Sequence, residues 1–146
     1  MTQPPGGHLR DRPELTGYAR LRRVGDLIFV AGISSRRPDG SIRGADETTG
    51  GAVVLDIREQ TAGAIENLAA TLASIDCALS DVVDLTVFLV HMNDYAGFNE
   101  AWNRYFDTSG PTRTTVAVAQ LPDPRLAVEL KAIAHTAGAA GDSGRR

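Results

Sequence analysis

Residues 110–134, GPTRTTVAVAQLPDPRLAVELKAIA, read as two apolar strands separated by Pro122-Asp123-Pro124. β-Branched and small apolar residues dominate both runs, and the two prolines interrupt any regular element between them. Each run nevertheless carries charge where a buried strand carries none: Arg113 in the first, Glu129 and Lys131 in the second. Successive side chains alternate across a strand. Thr114, Val116 and Val118 therefore oppose Arg113, Thr115 and Ala117, while Leu126, Val128, Leu130 and Ala132 oppose Glu129, Lys131 and Ile133. A turn centred on 122–124 makes the runs a hairpin, with position 117 across from 129 and 113 across from 133. On that register Arg113 and Glu129 leave the same face, the one away from the helices, roughly 13 Å apart at about 3.3 Å per residue. This separation is too long for a direct ion pair and leaves room for a small carboxylate. A solvated face with two scattered charges is the plain alternative. Against it, Thr115, Ala117, Ala127 and Ile133 make the face semi-apolar, as in a surface buried against another subunit, where charges need partners or a ligand.

Upstream, YARLRRVGD (18–26) and LIFVAGISS (27–35) read as two strands around the Gly25-Asp26 turn. RRPDGSIRGADETTGG (36–51) is dense in Gly, Pro and Asp and reads as a loop. Asp56 starts a helix with Glu59 at capping-box spacing, and Ile57, Ala64, Ile65, Leu68, Leu72 and Ile75 form one apolar stripe along it. VVDLTVFLVHM (82–92) is a mostly buried strand. Asn93 or Asp94 caps a second helix whose Tyr95, Phe98, Trp102, Tyr105 and Phe106 form an aromatic core face, and Gly110-Pro111 ends it. The order β-β-α-β-α-β-β predicts an α+β sandwich, with two helices packed on one face of a mixed sheet. Residues 1–14 and 136–146 lack periodic apolar pattern and are expected to be disordered, leaving a single domain over 15–135.

Composition narrows the functional classes. A net charge of −3 and a pI near 5.5 provide no basic field to gather nucleic acid. Arg10, Arg12, Arg20, Arg22 and Arg23 concentrate near the N-terminus, as a solvated basic edge or an anion-binding one. The single Cys77 cannot form an internal disulfide, and no apolar run approaches the roughly 18 residues of a membrane span, so a cytoplasmic chain is expected. His8, His91 and His135 are scattered without metal-ligand spacing, no serine lies in a G-x-S-x-G elbow, and no motif surrounds Cys77. Neither a metal nor a cofactor is expected.

GPTRTTVAVAQLP followed by VELKAIA resembles the C-terminal signature of the Rid (reactive-intermediate deaminase) family. LRRVGDLIFVAG is similar to its N-terminal hairpin, and FLVHMNDYAGFNEAWNRYF to its central strand and helix. SSRRPDGSIRG, LDIREQT and GPTRTTV together look like its 2-aminomuconate deaminase branch. The resemblance spans about Tyr18 to His135 and implies a chorismate-mutase-like fold. It further implies a homotrimer whose sheets form a central barrel, with active sites in the clefts between subunits. It implies that Arg113 grips the substrate carboxylate, that Glu129 positions the hydrolytic water, and that Tyr18 and Asn99 line the cleft. Two positions depart from the family pattern. Ala31, before Gly32, replaces a frequent serine, and Thr115 replaces a frequent cysteine; both bear on substrate range.

Hydrolysis of an enamine or imine requires a held carboxylate, a placed water and proton transfer. The planar fork of Arg113 suits the first task, and Glu129 in a partly desolvated cleft suits the others. Backbone near Ala31-Gly32 is placed to complete the site, because glycine permits close approach. A 2-aminomuconate substrate carries two carboxylates, and Arg36 and Arg37 are the expected candidates for the second. The expected function is therefore deamination of 2-aminomuconate, without nucleic acid or membrane partners. The alternatives are a general 2-aminoacrylate-type deaminase, a non-catalytic small-molecule- or protein-binding trimer, and a ribonuclease.

Overall fold

The computed structural model describes residues 17–136. The expected disordered ends, 1–14 and 136–146, lie outside that range except for Thr136, whose N–H donates to the carbonyl of Asp26.

The Gly25-Asp26 turn joins β1 (Leu21–Val24) to β2 (Leu27–Val30) as a hairpin, with Val24 opposite Leu27. The expected loop contains β3 (Ala45–Glu47), which pairs with β4 (Val53–Leu55) just beyond it in a second, small hairpin. Its Gly-rich tip obscured the pairing: three-residue strands are too short for a readable alternation. α1 (Ile57–Ala73) begins where expected. The Asp56 carboxylate accepts from the N–H groups of Arg58 and Glu59. The reciprocal arm of a capping box is not made, because Glu59 turns to Arg43 and the Asp56 N–H goes to the Gly44 carbonyl. β5 (Val82–Leu89) then leads to α2 (Tyr95–Trp102), β6 (Thr112–Ala117) and β7 (Val128–His135).

The main sheet runs β1-β2-β7-β5-β6. The expected β6–β7 hairpin is not formed, and neither is its register of 117 with 129 and 113 with 133. β5 lies between the two strands, parallel to β6 and antiparallel to β7. α2 serves as the crossover of a β-α-β unit, as a parallel pair requires. Residues 118–127 cross the end of β5 instead of turning back on β6, tied there by Val118 N–H to Leu89 O and Val90 N–H to Ala127 O.

Both helices cover one sheet face. Ile65, Leu68 and Leu72 of α1 and Phe98 of α2 meet Val30, Leu85, Val87, Leu89, Val128 and Leu130, all essentially without exposure. Burial of a side chain such as Phe98 contributes about 2–3 kcal/mol. The helices approach closely at Gly97, where an added Cβ would stand 2.7 Å from Ile57 Cγ2. Phe29, Phe88, Val116 and Ile133 look out from the uncovered face, half-buried or exposed. The chain is an α+β structure with two helices on a mixed sheet, as its pattern predicts.

Candidate active site

A cleft of about 310 Å³ opens beside the uncovered face, and Tyr18, Arg20, Ala31, Gly32, Arg36 and Glu129 are among the residues lining it. Hydrogen bonds between β7 and the segment after β2 set its floor, since Ile33 and Leu130 exchange both backbone bonds at 2.8 Å. Gly32 thereby lies against the Glu129 side chain: a Cβ there would stand 2.2 Å from Glu129 Oε1. Only glycine leaves the carboxyl this position. Burial raises the Glu129 carboxyl above its ordinary range, opposed by the positive charge of Arg20. Such a group exchanges protons closer to neutral pH than a solvated glutamate does. Gly32→Ala should therefore displace the carboxyl and cost activity roughly ten-fold in kcat/KM, about 1.4 kcal/mol, without unfolding the chain. Steady-state kinetics beside a thermal melt check this; unchanged turnover would mean that the carboxyl need not occupy its observed position.

Two side-chain amides, one buried and one half-buried, hold the walls. Gln60 Nε2 donates to the Arg125 carbonyl at 2.7 Å, and its Oε1 accepts from Ala127 N–H at 2.8 Å, binding the run into β7 to α1. Asn67 Nδ2 donates to Ser34 O and Arg36 O, at 2.8 and 2.9 Å, and so fixes the loop carrying Arg36. Arg36 Nη2 pairs with Asp123 Oδ2 at 2.9 Å, and Asp123 also receives Arg125 at 2.8 Å. The Arg125 guanidinium, with help from Arg36, holds the Asp123 carboxyl well below the usual carboxylate range. Arg37 does not line the cleft; its Nη1 donates to the Ser41 hydroxyl at 3.3 Å.

Arg113 is elsewhere. It stands in register with Leu85, whose exposure is 0%, so its side chain belongs to the helix-covered face. Glu129 is in register with Phe88, one residue out of phase with the buried Val87 and Leu89, and belongs to the opposite face. The expectation that the two share a face is thus overturned. It assumed direct β6–β7 pairing, and β5 between the strands removes that basis for assigning the side. At the sheet edge the Arg113 guanidinium carbon lies 4.8 Å from the Trp102 ring centre, 5.2 Å from Phe98 and 5.7 Å from Tyr95. Its Nη2 donates to the Tyr95 hydroxyl at 3.1 Å. Cation–π contacts orient the fork and leave most of its five donors unused. Thr115 shares this face, its Oγ1 buried without a hydrogen-bond partner among the described residues. Asn99 is half-buried on α2, next to Phe98.

One chain thus gathers Tyr18, Ala31, Gly32, Arg36 and Glu129 in a cleft that Arg113, Thr115 and Asn99 do not line. Sequence reasoning missed Arg20 as a cleft residue and Gln60 and Asn67 as its supports. Gln60 had a readable signal: it follows Glu59 yet lies on the buried side of α1, where a polar residue needs internal partners. A larger cleft of about 380 Å³ beyond the end of α2 has Asp107 at its rim, but that carboxylate is taken up by Ser109. Among the described residues no three His, Cys, Asp or Glu side chains assemble as a metal site, and no helix is long and apolar enough to cross a membrane.

The sequence pattern of the endoribonuclease L-PSP family matches residues 10–136. A RutC family protein of Pyrococcus abyssi is 41% identical over 118 residues, covering 81% of this chain and 85% of its own. The chain belongs to the Rid family. A putative reactive intermediate deaminase, TdcF of Escherichia coli, is 33% identical over 120 residues, 80% of this chain and 85% of that one. Among solved structures, a putative endoribonuclease of Thermotoga maritima superposes with a TM-score of 0.71 at 35% identity, covering 85% of this chain and 90% of that one. E. coli TdcF with bound serine gives 0.68 at 27% identity, covering 84% and 90%. The two-layer arrangement seen here is therefore the Rid fold, chorismate-mutase-like in its topology.

Proposed function

We propose that this Rid protein is a cofactor-free deaminase of enamine or imine carboxylates, working between two subunits of a cytoplasmic homotrimer. One observation carries the reading: Arg113 and Glu129 leave opposite faces of one sheet, on strands separated by β5. Adjacent strands are about 4.8 Å apart, so the two groups stand about 10 Å apart laterally with the sheet between them. One small substrate cannot touch both within a chain. The edge surface of one subunit, with Arg113 and Asn99, can face the Glu129 cleft of the next. The semi-apolar row of Phe29, Phe88, Val116 and Ile133 suits burial between subunits.

In such a site Arg113 holds the substrate carboxylate through two parallel hydrogen bonds. The enamine tautomerises to an imine. Glu129 takes a proton from water as the oxygen adds to the C=N carbon, then returns it to nitrogen. Collapse of the carbinolamine breaks the C–N bond, releasing ammonia and leaving a ketone. The name of TdcF as a putative reactive intermediate deaminase, and the serine in its structure, support a small amino-acid-derived carboxylate. Within this class the branch motifs favour 2-aminomuconate over a 2-aminoacrylate-type enamine. An acidic chain of net charge −3 disfavours the ribonuclease reading.

Co-assembly of two inactive variants tests the composite site. Arg113→Ala chains retain Glu129, Glu129→Gln chains retain Arg113, and each homomeric preparation should be nearly inactive. In random mixed trimers about a quarter of the interfaces unite the two intact halves, so activity should recover toward that fraction. No recovery in trimers shown to be mixed by mass would place both groups' work within one chain and overturn the reading.

A further inference from the structure

Of the two arginines lining the cleft, Arg36 is already committed to Asp123 at 2.9 Å. Arg20 is not. Its guanidinium is half-buried beside Glu129, yet among the described residues no carboxylate oxygen lies within 4 Å of it. Its side-chain hydrogen bond is a long one, from Nη1 to the Gly32 carbonyl at 3.4 Å. The backbone beneath is pinned, because Arg20 O accepts from Ala31 N–H at 2.9 Å. A partly desolvated fork with unused donors, carried on a pinned backbone, is suited to bind an anion.

We infer that Arg20, rather than Arg36 or Arg37, selects substrates that carry a second carboxylate. The inference rests on the composite deaminase site. There Arg113 arrives from the neighbouring subunit and Arg20 stands on the Glu129 wall, so a dicarboxylate spans the cleft with its C–N carbon between two cations. A dianion held by Arg113 alone would bring an uncompensated charge beside Glu129, and Arg20 balances it. A monocarboxylate uses Arg113 and leaves Arg20 unfilled.

Muconate and sorbate separate these cases without any chemistry: both are six-carbon dienes, one with two carboxylates and the other with one. Calorimetric binding to the assembled protein should favour muconate by about tenfold or more. Arg20→Gln should abolish that preference, and Arg20→Lys, which keeps charge but not the fork, should leave a smaller one. Arg36→Gln and Arg37→Gln should retain it. The inference is overturned if wild type shows no preference, if Arg20→Gln keeps it, if both ligands weaken equally in that variant, or if Arg36→Gln alone removes it. Ammonia release is scored separately, so an inactive wild type that still prefers muconate would sink the deaminase reading and spare this one.

Discussion

Arg113→Lys should lower kcat/KM by roughly 30- to 1,000-fold, equivalent to about 2–4 kcal/mol, although formal charge is conserved. Three features of its surroundings make lysine a poor replacement. The guanidinium lies over Trp102, Phe98 and Tyr95, and a planar, weakly hydrated cation stacks on such rings better than a compact ammonium does. Its Nη2 is spent on the Tyr95 hydroxyl, which sets the rotation of the fork and leaves the remaining donors in one plane for a carboxylate. Lysine lacks that plane and would have to choose between tyrosine and substrate. The loss should appear in KM as well as kcat, because in the proposed site the ground-state carboxylate also uses this contact. Circular dichroism and light scattering on the same variant establish fold and assembly. A folded, assembled variant with wild-type kinetics would reduce Arg113 to a structural cation capping an aromatic ridge.

The aromatic ridge also shows what could and could not be read from residues alone. Helical spacing placed Tyr95, Phe98, Trp102, Tyr105 and Phe106 on a core face; Phe98, Trp102 and Phe106 are buried there, Tyr105 is half-buried against the core, and Tyr95 is exposed. The same spacing gave no hint that Tyr95, Phe98 and Trp102 also receive Arg113, because that contact depends on β6 pairing with β5. Local signals were reliable where the information was local. The Gly25-Asp26 turn stands as predicted, Asp56 caps α1 without the reciprocal Glu59 arm, and the α1 stripe holds from Ile57 to Leu72, whereas Ile75 lies past the helix end and is exposed. Strand order was not local. A proline-containing link looks equally like a turn or a crossing, and only long-range packing put β7 between β2 and β5. Alternation within β6 was correct, but the side assigned to it reversed once its neighbour changed. Arg20 was invisible for a related reason: in sequence it is one of several clustered arginines, and its distinction is the cleft beside it and the want of a carboxylate partner among the described residues.

Glu129→Gln carries the largest expected effect, because it separates catalysis from binding. Glutamine keeps the shape and much of the hydrogen-bonding capacity of glutamate but cannot exchange a proton near neutral pH. With Gly32 pressed against it, the replacement amide should occupy the same volume. Turnover should fall by about 10²–10⁴-fold, the usual range for loss of one acid–base group. Binding of an unreactive carboxylate should change little, since the proposed site assigns that contact to Arg113. Stability provides an independent readout. Burial raises the Glu129 carboxyl in the folded chain, so folding favours its protonated form. That contribution is present below the unfolded carboxyl's pKa and is lost as pH rises through the higher folded value, leaving an ionised group the fold disfavours. Glutamine removes this penalty, and the variant should melt at or above the wild-type temperature at neutral pH, with the difference vanishing in acid. A stable, inactive variant that still binds carboxylates is the result a proton-transfer role requires. Full activity would remove Glu129 from the chemistry, and a melting temperature lowered at neutral pH would mean that its ionised carboxylate instead serves the fold, through its attraction to Arg20.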